Sequence, residues 1–178
     1  MERDLRKFNY IRPLTFRSKL VLWWCLQNTI FVNFATSNRM RVLLLRTFGA
    51  QIGDHVIIRR GVRVHFPWNL TVGSDTWIGE QAWFINHVRI SIGSNVCISQ
   101  EVILSSGSHD MYTPSLDYKH RPITVKDGAW ICLRATVLAG VTVGTNSVVS
   151  AGEVLNKSLP DSSLFIGNTV HPINYARE

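Results

Sequence analysis

The sequence predicts a parallel β-helix, and three observations carry that prediction. From Val125 to Leu155 an aliphatic residue falls at every sixth position, through Ile131, Val137, Val143 and Val149. Earlier stretches keep the same interval: Ile52, Ile58, Val64 and Leu70, then Val72, Ile78, Phe84 and Ile90, then Ile92, Ile98 and Leu104. Glycine follows the aliphatic residue at Ile52-Gly53, Ile78-Gly79, Ile92-Gly93 and Val143-Gly144. A period of six matches neither the 3.6 of a helix nor the alternation of a long strand, so a short repeated unit explains it. The glycines are read as turn positions that need positive φ.

Three hexads make one triangular coil of about 18 residues, so residue i is expected to stack on i+18, and the repeats supply about five coils. The all-β solenoid is placed at 49–158. The beat slips by two residues between Leu70 and Val72 and between Ile90 and Ile92, and it breaks between Leu104 and Val125. The break holds a polar segment, SSGSHDMYTPSLDYKHRP, at 105–122. A long irregular segment interrupting a regular scaffold is either a decorative insertion or a functional loop, and its titratable residues favour the second.

Residues 1–48 are assigned to a helical cap. Leu20 to Phe34 and Met40 to Phe48 lack Gly and Pro and carry broad apolar faces. In one reading Trp23, Trp24 and Phe31 cover the open end of the coil, as the terminal units of a solenoid require. In the other, the same apolar face, flanked by Arg17, Lys19, Arg39 and Arg41, also makes peripheral contact with an anionic membrane. The run is shorter than the roughly 20 residues that span a bilayer. Residues 159–178 form a C-terminal tail.

The net charge of +7 favours anionic partners. No zinc-finger spacing or aromatic RNA-binding motif accompanies it, so nucleic acid is not expected. Three cysteines, Cys25, Cys97 and Cys132, form no CxxC pair. That pattern suggests neither a disulfide framework nor a zinc site and points to a reducing compartment. No cleavable signal is evident, and a cytoplasmic location is expected.

The hexads that begin with Ile-Gly, the sequence GSHD at 107–110 and the block WICLRATVLAGVTVGTNSVVSAGEVLNKSLP at 130–160 together resemble the hexapeptide-repeat acyltransferases. Within them the sequence is most similar to the colanic acid biosynthesis acetyltransferases, which share a Trp-Trp helix and the LLLRTFGAQIG segment at 43–53, and it is also similar to the galactoside and maltose O-acetyltransferases. The resemblance implies a left-handed β-helix, a homotrimer, and acetyl-CoA bound as co-substrate between neighbouring subunits. It implies acetyl transfer to a sugar hydroxyl in bacterial surface polysaccharide biosynthesis.

His109 is the candidate general base, since a hydroxyl must lose its proton as its oxygen attacks a thioester and imidazole titrates near neutrality. The resemblance puts it where the family keeps its catalytic histidine. Asp110 is a candidate to orient His109 or hold an acceptor hydroxyl. Asn86 resembles an acceptor-site asparagine, and Trp83 and His87 lie close to it in sequence. On the donor side the resemblance implies Leu133, Ala139, Gly140, Ala151 and Lys157 along the cofactor, with Lys157 supplying charge to phosphate. Trp130 matches a recurring family tryptophan that also packs between subunits. Arg134 is placed to reach a phosphate or to pair across the trimer. The C-terminus departs from the family pattern, with Thr169 where proline is usual and His171 in place of a basic residue, for which Arg177 is the substitute.

Two further classes were weighed. A zinc carbonic anhydrase needs three convergent imidazoles. His65, His87 and His109 are evenly spaced, but their interval differs from the coil length, so they are not expected to line one edge, and no metal is assigned. The other reading is a non-catalytic scaffold. N-acetylation of an amino sugar is the chemical alternative to O-acetylation.

Overall fold

The computed structural model describes residues 14–174. Arg177, singled out above, lies outside them, as does the side chain of Arg17. The hexads wind a left-handed prism, whose three faces are parallel sheets of strands two to four residues long. Five complete coils and part of a sixth are formed.

One inward residue per hexad builds the core. On the second face Ile58, Ile78, Ile98, Ile131, Val149 and Phe165 stack in register, each almost wholly buried. The steps along this column are 20, 20, 33, 18 and 16 residues. A uniform step of 18 is therefore corrected: only the fourth coil has it. The extra residues of the early coils enter at one edge, between the third and first faces. There Val64 is followed by a 3-10 turn at Pro67–Asn69, and Phe84 by a bend before Ile90. The two-residue slips in the sequence mark these bulged corners.

The glycines at the ends of the hexads also have a different cause from the one expected. Positive φ falls on Gly49, Gly61, Gly128, Gly140, Gly152 and Gly167 and on residues such as His55, Asp75 and Asn95. At Gly79 the reason is proximity: a Cβ there would lie 2.6 Å from the backbone of Ser99 in the coil below. Coils can stack at hydrogen-bonding distance at that corner only if one of them lacks a side chain.

The capping reading holds for Trp23 and Phe31, which are fully buried with Leu45 over the first coil. Helix α1 (Leu14–Leu26) runs into a π turn at Gln27–Phe31, and α2 (Asn38–Thr47) follows, with Ser37 accepting from the Met40 N–H at its N-cap. The cap also answers the first coil's free edge with polar groups. Trp23 Nε1 donates to the Val64 carbonyl at 2.7 Å, Gln27 Oε1 accepts from the Val64 N–H at 2.7 Å, and Asn38 bridges the Ile58 N–H and the Val56 carbonyl. Buried Arg41 donates to the carbonyls of Phe31, Asn33 and Ile58. Trp24 is corrected: it points outward. At the other end the coil continues past residue 158. Leu159 bridges Val143, Ser163–Ile166 joins the second face, and Thr169–Pro172 pairs antiparallel on its outside.

Asn86 belongs to this architecture. It is fully buried at the bulged edge, with Oδ1 accepting from the Phe66 N–H at 2.9 Å and Nδ2 donating to the Phe66 carbonyl at 2.6 Å. Within the chain Asn86 is a clamp between two coils. Asn86→Ala strands two buried backbone groups and should cost roughly 2–4 kcal/mol in urea unfolding. An acceptor-site asparagine would instead raise the acceptor KM at unchanged stability.

Candidate active site

The long insertion of the third coil sits at the same bulged edge. Its two arms pair back on each other. Lys119 N–H donates to the Ser108 carbonyl, Asp110 N–H to the Asp117 carbonyl, and Arg121 N–H to the Ser106 carbonyl, while His109 and Tyr118 form an antiparallel bridge. The His109 ring packs against Tyr118 at 5.1 Å between centroids.

His109 is exposed, and its Nδ1 lies 2.6 Å from the carbonyl oxygen of Leu116. A carbonyl only accepts, so Nδ1 carries the hydrogen and the basic lone pair is on Nε2. Leu116 holds φ at +51°, a conformation that costs a leucine energy and that aims its carbonyl at the imidazole. Asp110 does not perform that orientation. Its Oδ1 accepts from the Tyr112 N–H and its Oδ2 from Lys119 Nζ at 3.1 Å. Those bonds, the Tyr112 N–H first, hold its carboxyl below the usual range and tie the loop together.

Beneath the loop lies a ladder of rings. His65 meets His87 at 5.5 Å, His87 stacks on His120 at 4.7 Å with planes 17° apart, and His120 meets Tyr118 at 4.7 Å. The expectation that the evenly spaced histidines do not share an edge is corrected. The first coils are 20 residues long and bulged at this corner, which brings His65 and His87 together, and the loop returns His109 toward them. Gly107 lets the loop settle, since a Cβ there would lie 2.6 Å from His87 Cδ2. Among the described residues no group of three or more His, Cys, Asp or Glu side chains is placed to hold a metal ion. Tyr118 and His120 were not foreseen. Their spacing of two, opposite His109 across a hairpin, was the available signal.

The other candidates are dispersed. Trp83 stands outward on the third face, edge-on to His65 at 6.2 Å. Ala139, Gly140 and Lys157 lie on the same edge as the His109 loop, and Gly140, at φ +88°, packs under Arg121 of that loop. Leu133, Arg134 and Ala151 occupy the neighbouring edge, between the second and third faces, where Gly152 N–H donates to the Leu133 carbonyl. Arg134 forks onto Glu101, Nε to Oε2 at 2.7 Å. Trp130 projects from the second face, half exposed, with Nε1 donating to Ser99 Oγ at 2.9 Å. At the C-terminus Thr169 Oγ1 and His171 Nε2 bond to each other at 2.8 Å.

Comparison with known proteins places this geometry. No family model matches the chain. Two solved structures share its fold at a TM-score of 0.82. One is the hexapeptide-repeat acetyltransferase VCA0836 of Vibrio cholerae in complex with acetyl-CoA, 20% identical, covering 97% of this chain and 96% of that one. The other is a galactoside acetyltransferase in complex with coenzyme A, 22% identical, covering 96% and 88%. A curated relative from Escherichia coli (strain K12), named as an acetyltransferase, is 38% identical over 171 residues, 93% of each chain. The chain belongs to the hexapeptide-repeat acetyltransferase family. That relative is WcaF, whose name assigns it to colanic acid biosynthesis.

Burial, and next the nearby His109, lower the pKa of His120, whose Nδ1 accepts the Ser108 N–H at 3.2 Å. With the folded value depressed, its contribution to stability is full above the ordinary imidazole pKa of about 6.5 and is lost as pH falls through the folded value. Asparagine keeps an acceptor at the same place without titrating. Melting temperature between neutral and mildly acidic pH should therefore fall more steeply for the wild type than for His120→Asn, and parallel slopes would rule out this latch.

Proposed function

We propose that the chain transfers the acetyl group of acetyl-CoA to a sugar hydroxyl in the biosynthesis of a bacterial surface polysaccharide, with His109 as general base. The observation that carries this reading is the Leu116 carbonyl on His109 Nδ1, which puts the lone pair on Nε2 of an exposed imidazole. Nε2 takes the hydroxyl proton as the oxygen attacks the thioester carbonyl. The tetrahedral adduct collapses with cleavage of the C–S bond, and the imidazolium returns the proton to the departing thiolate. An acetyl ester and free coenzyme A result, with no covalent enzyme intermediate. The similarity to WcaF supports the polysaccharide assignment, and the structural neighbours that hold acetyl-CoA or coenzyme A support the donor.

The active unit in this reading is a homotrimer. The donor residues lie on two edges separated by the third face, so one chain does not wrap a single cofactor with all of them. The second face supports assembly, because its outward ladder is apolar: Ile57, Trp77, Cys97, Trp130, Val148 and Leu164. On the first face the same positions are Gln51, Thr71, Ser91, Thr124 and Thr142, a surface suited to water. In a trimer an edge carrying His109 from one copy would face the edge carrying Leu133 and Ala151 from the next.

His109→Ala should lower acceptor-dependent thiol release by roughly 10²–10⁴-fold, the range typical of a lost general base. Unchanged turnover would remove His109 from the mechanism. The assay is run over a panel of sugars, nucleotide sugars and polysaccharide fragments, including amino sugars, so that an amine acceptor is separated from a hydroxyl one. Trp130→Glu places a charge in the apolar ladder and should shift the mass measured by light scattering from three chains to one.

A further inference from the structure

The two ends of the prism differ in charge. Residues 14–64, from α1 to the end of the first coil, hold eight Lys and Arg against one acid, Asp54, while the rest of the chain holds eleven of each sign. The capped end thus accounts for the whole net charge of +7.

The same end exposes apolar side chains that the cap does not need for packing. Leu20 and Trp23 of α1 face the core, yet Val21, Leu22 and Trp24 face outward, followed by Ile30 and Phe34, with Leu22 56% and Phe34 80% exposed. A helix apolar on both sides belongs in a core or against lipid. Among the described residues only one side of α1 has a core. Among the described residues no helix is long and apolar enough to cross a membrane, which leaves a helix lying in the interface. The charge is interleaved with the apolar groups: Phe34 shares a groove with Arg59 and Arg60, and Leu43 shares one with Arg39 and Arg46. Glu80 pairs with Arg59 and Arg60, and Asp54 lies by Arg46, while Arg39 on α2 and Arg63 in the first coil are exposed.

We propose that the capped end docks on a bilayer that contains anionic lipid, with Leu22 and Trp24 inserted among the headgroups and the exposed Arg39 and Arg63 against their phosphates. Charge selects this occupant over a second copy of the chain, because two such ends would meet as like charges. Lipid headgroups supply the opposite sign, and acyl chains accept the apolar ridge. The inference is independent of the role of His109.

The test is co-sedimentation of the full chain with vesicles of phosphatidylcholine alone or mixed with phosphatidylglycerol. Binding is expected to the mixed vesicles at low salt, weakly to phosphatidylcholine, and to fall as salt screens the surface. Leu22→Glu with Trp24→Glu should reduce the bound fraction about tenfold at unchanged solution mass. Arg39→Gln with Arg63→Gln, which leaves the apolar ridge intact, should weaken binding to anionic vesicles while leaving that to phosphatidylcholine unaltered. Absence of sedimentation with anionic vesicles would overturn the proposal, as would equal binding by both variants and the wild type. A change of oligomeric mass in the Leu22/Trp24 variant would assign the ridge to a contact between copies and overturn it too.

Discussion

Register is the constraint on which this molecule depends. Each inward side chain sits directly on its counterpart one coil away, and each outward amide bonds to the next coil, so one residue added within a face would turn a whole column of aliphatic side chains to water. Length can change only at a corner. The chain uses one corner for this: the first two coils are 20 residues, and the third is 33, fifteen more than the 18-residue coil that follows. His65, His87, His109 and His120 all lie along that edge. The site is where the fold tolerates insertion.

This explains what was legible in the sequence and what was not. The column was readable because one position in six is set by burial alone, and Ile98 or Ile131 needs no knowledge of its neighbours to be placed inside. The interruption was readable for the same reason, and with it the loop on which His109 lies. Coil length was not, because counting hexads says nothing of corner shape, and two residues are enough to carry His87 from a different edge onto His65. The Arg134–Glu101 pair spans 33 residues of chain, and the Asn86–Phe66 clamp spans 20; both depend on that length. Gly79 was found for the wrong reason, since a turn glycine and a close-approach glycine leave the same letter in the sequence.

The loop is irregular but its base is fixed at several points. A hairpin of main-chain bonds sets the two arms, Asp110 ties the Tyr112 amide to Lys119, and Gly107 rests on His87. The rigid column therefore transmits its precision to His109 through a short chain of contacts. The cost is carried by Leu116 at positive φ, a strained residue of the loop whose carbonyl holds the His109 ring.

Charge at the site follows from the same contacts. In the proposed mechanism the His109 ring takes a proton from the attacking hydroxyl and gives it up to the thiolate. A carboxylate partner would stabilise the imidazolium with a full charge, whereas the Leu116 carbonyl fixes the tautomer with a dipole only. The nearest carboxylate in sequence, Asp110, bonds to Lys119 and the Tyr112 amide. On the other side, burial and the proximity of His109 keep His120 toward its neutral form, with Nδ1 accepting from the Ser108 amide. His120 stacks on His87 and meets Tyr118, so the ladder of rings supports the loop that carries His109. The edge that register left open for insertion is thus filled with groups that orient the His109 ring.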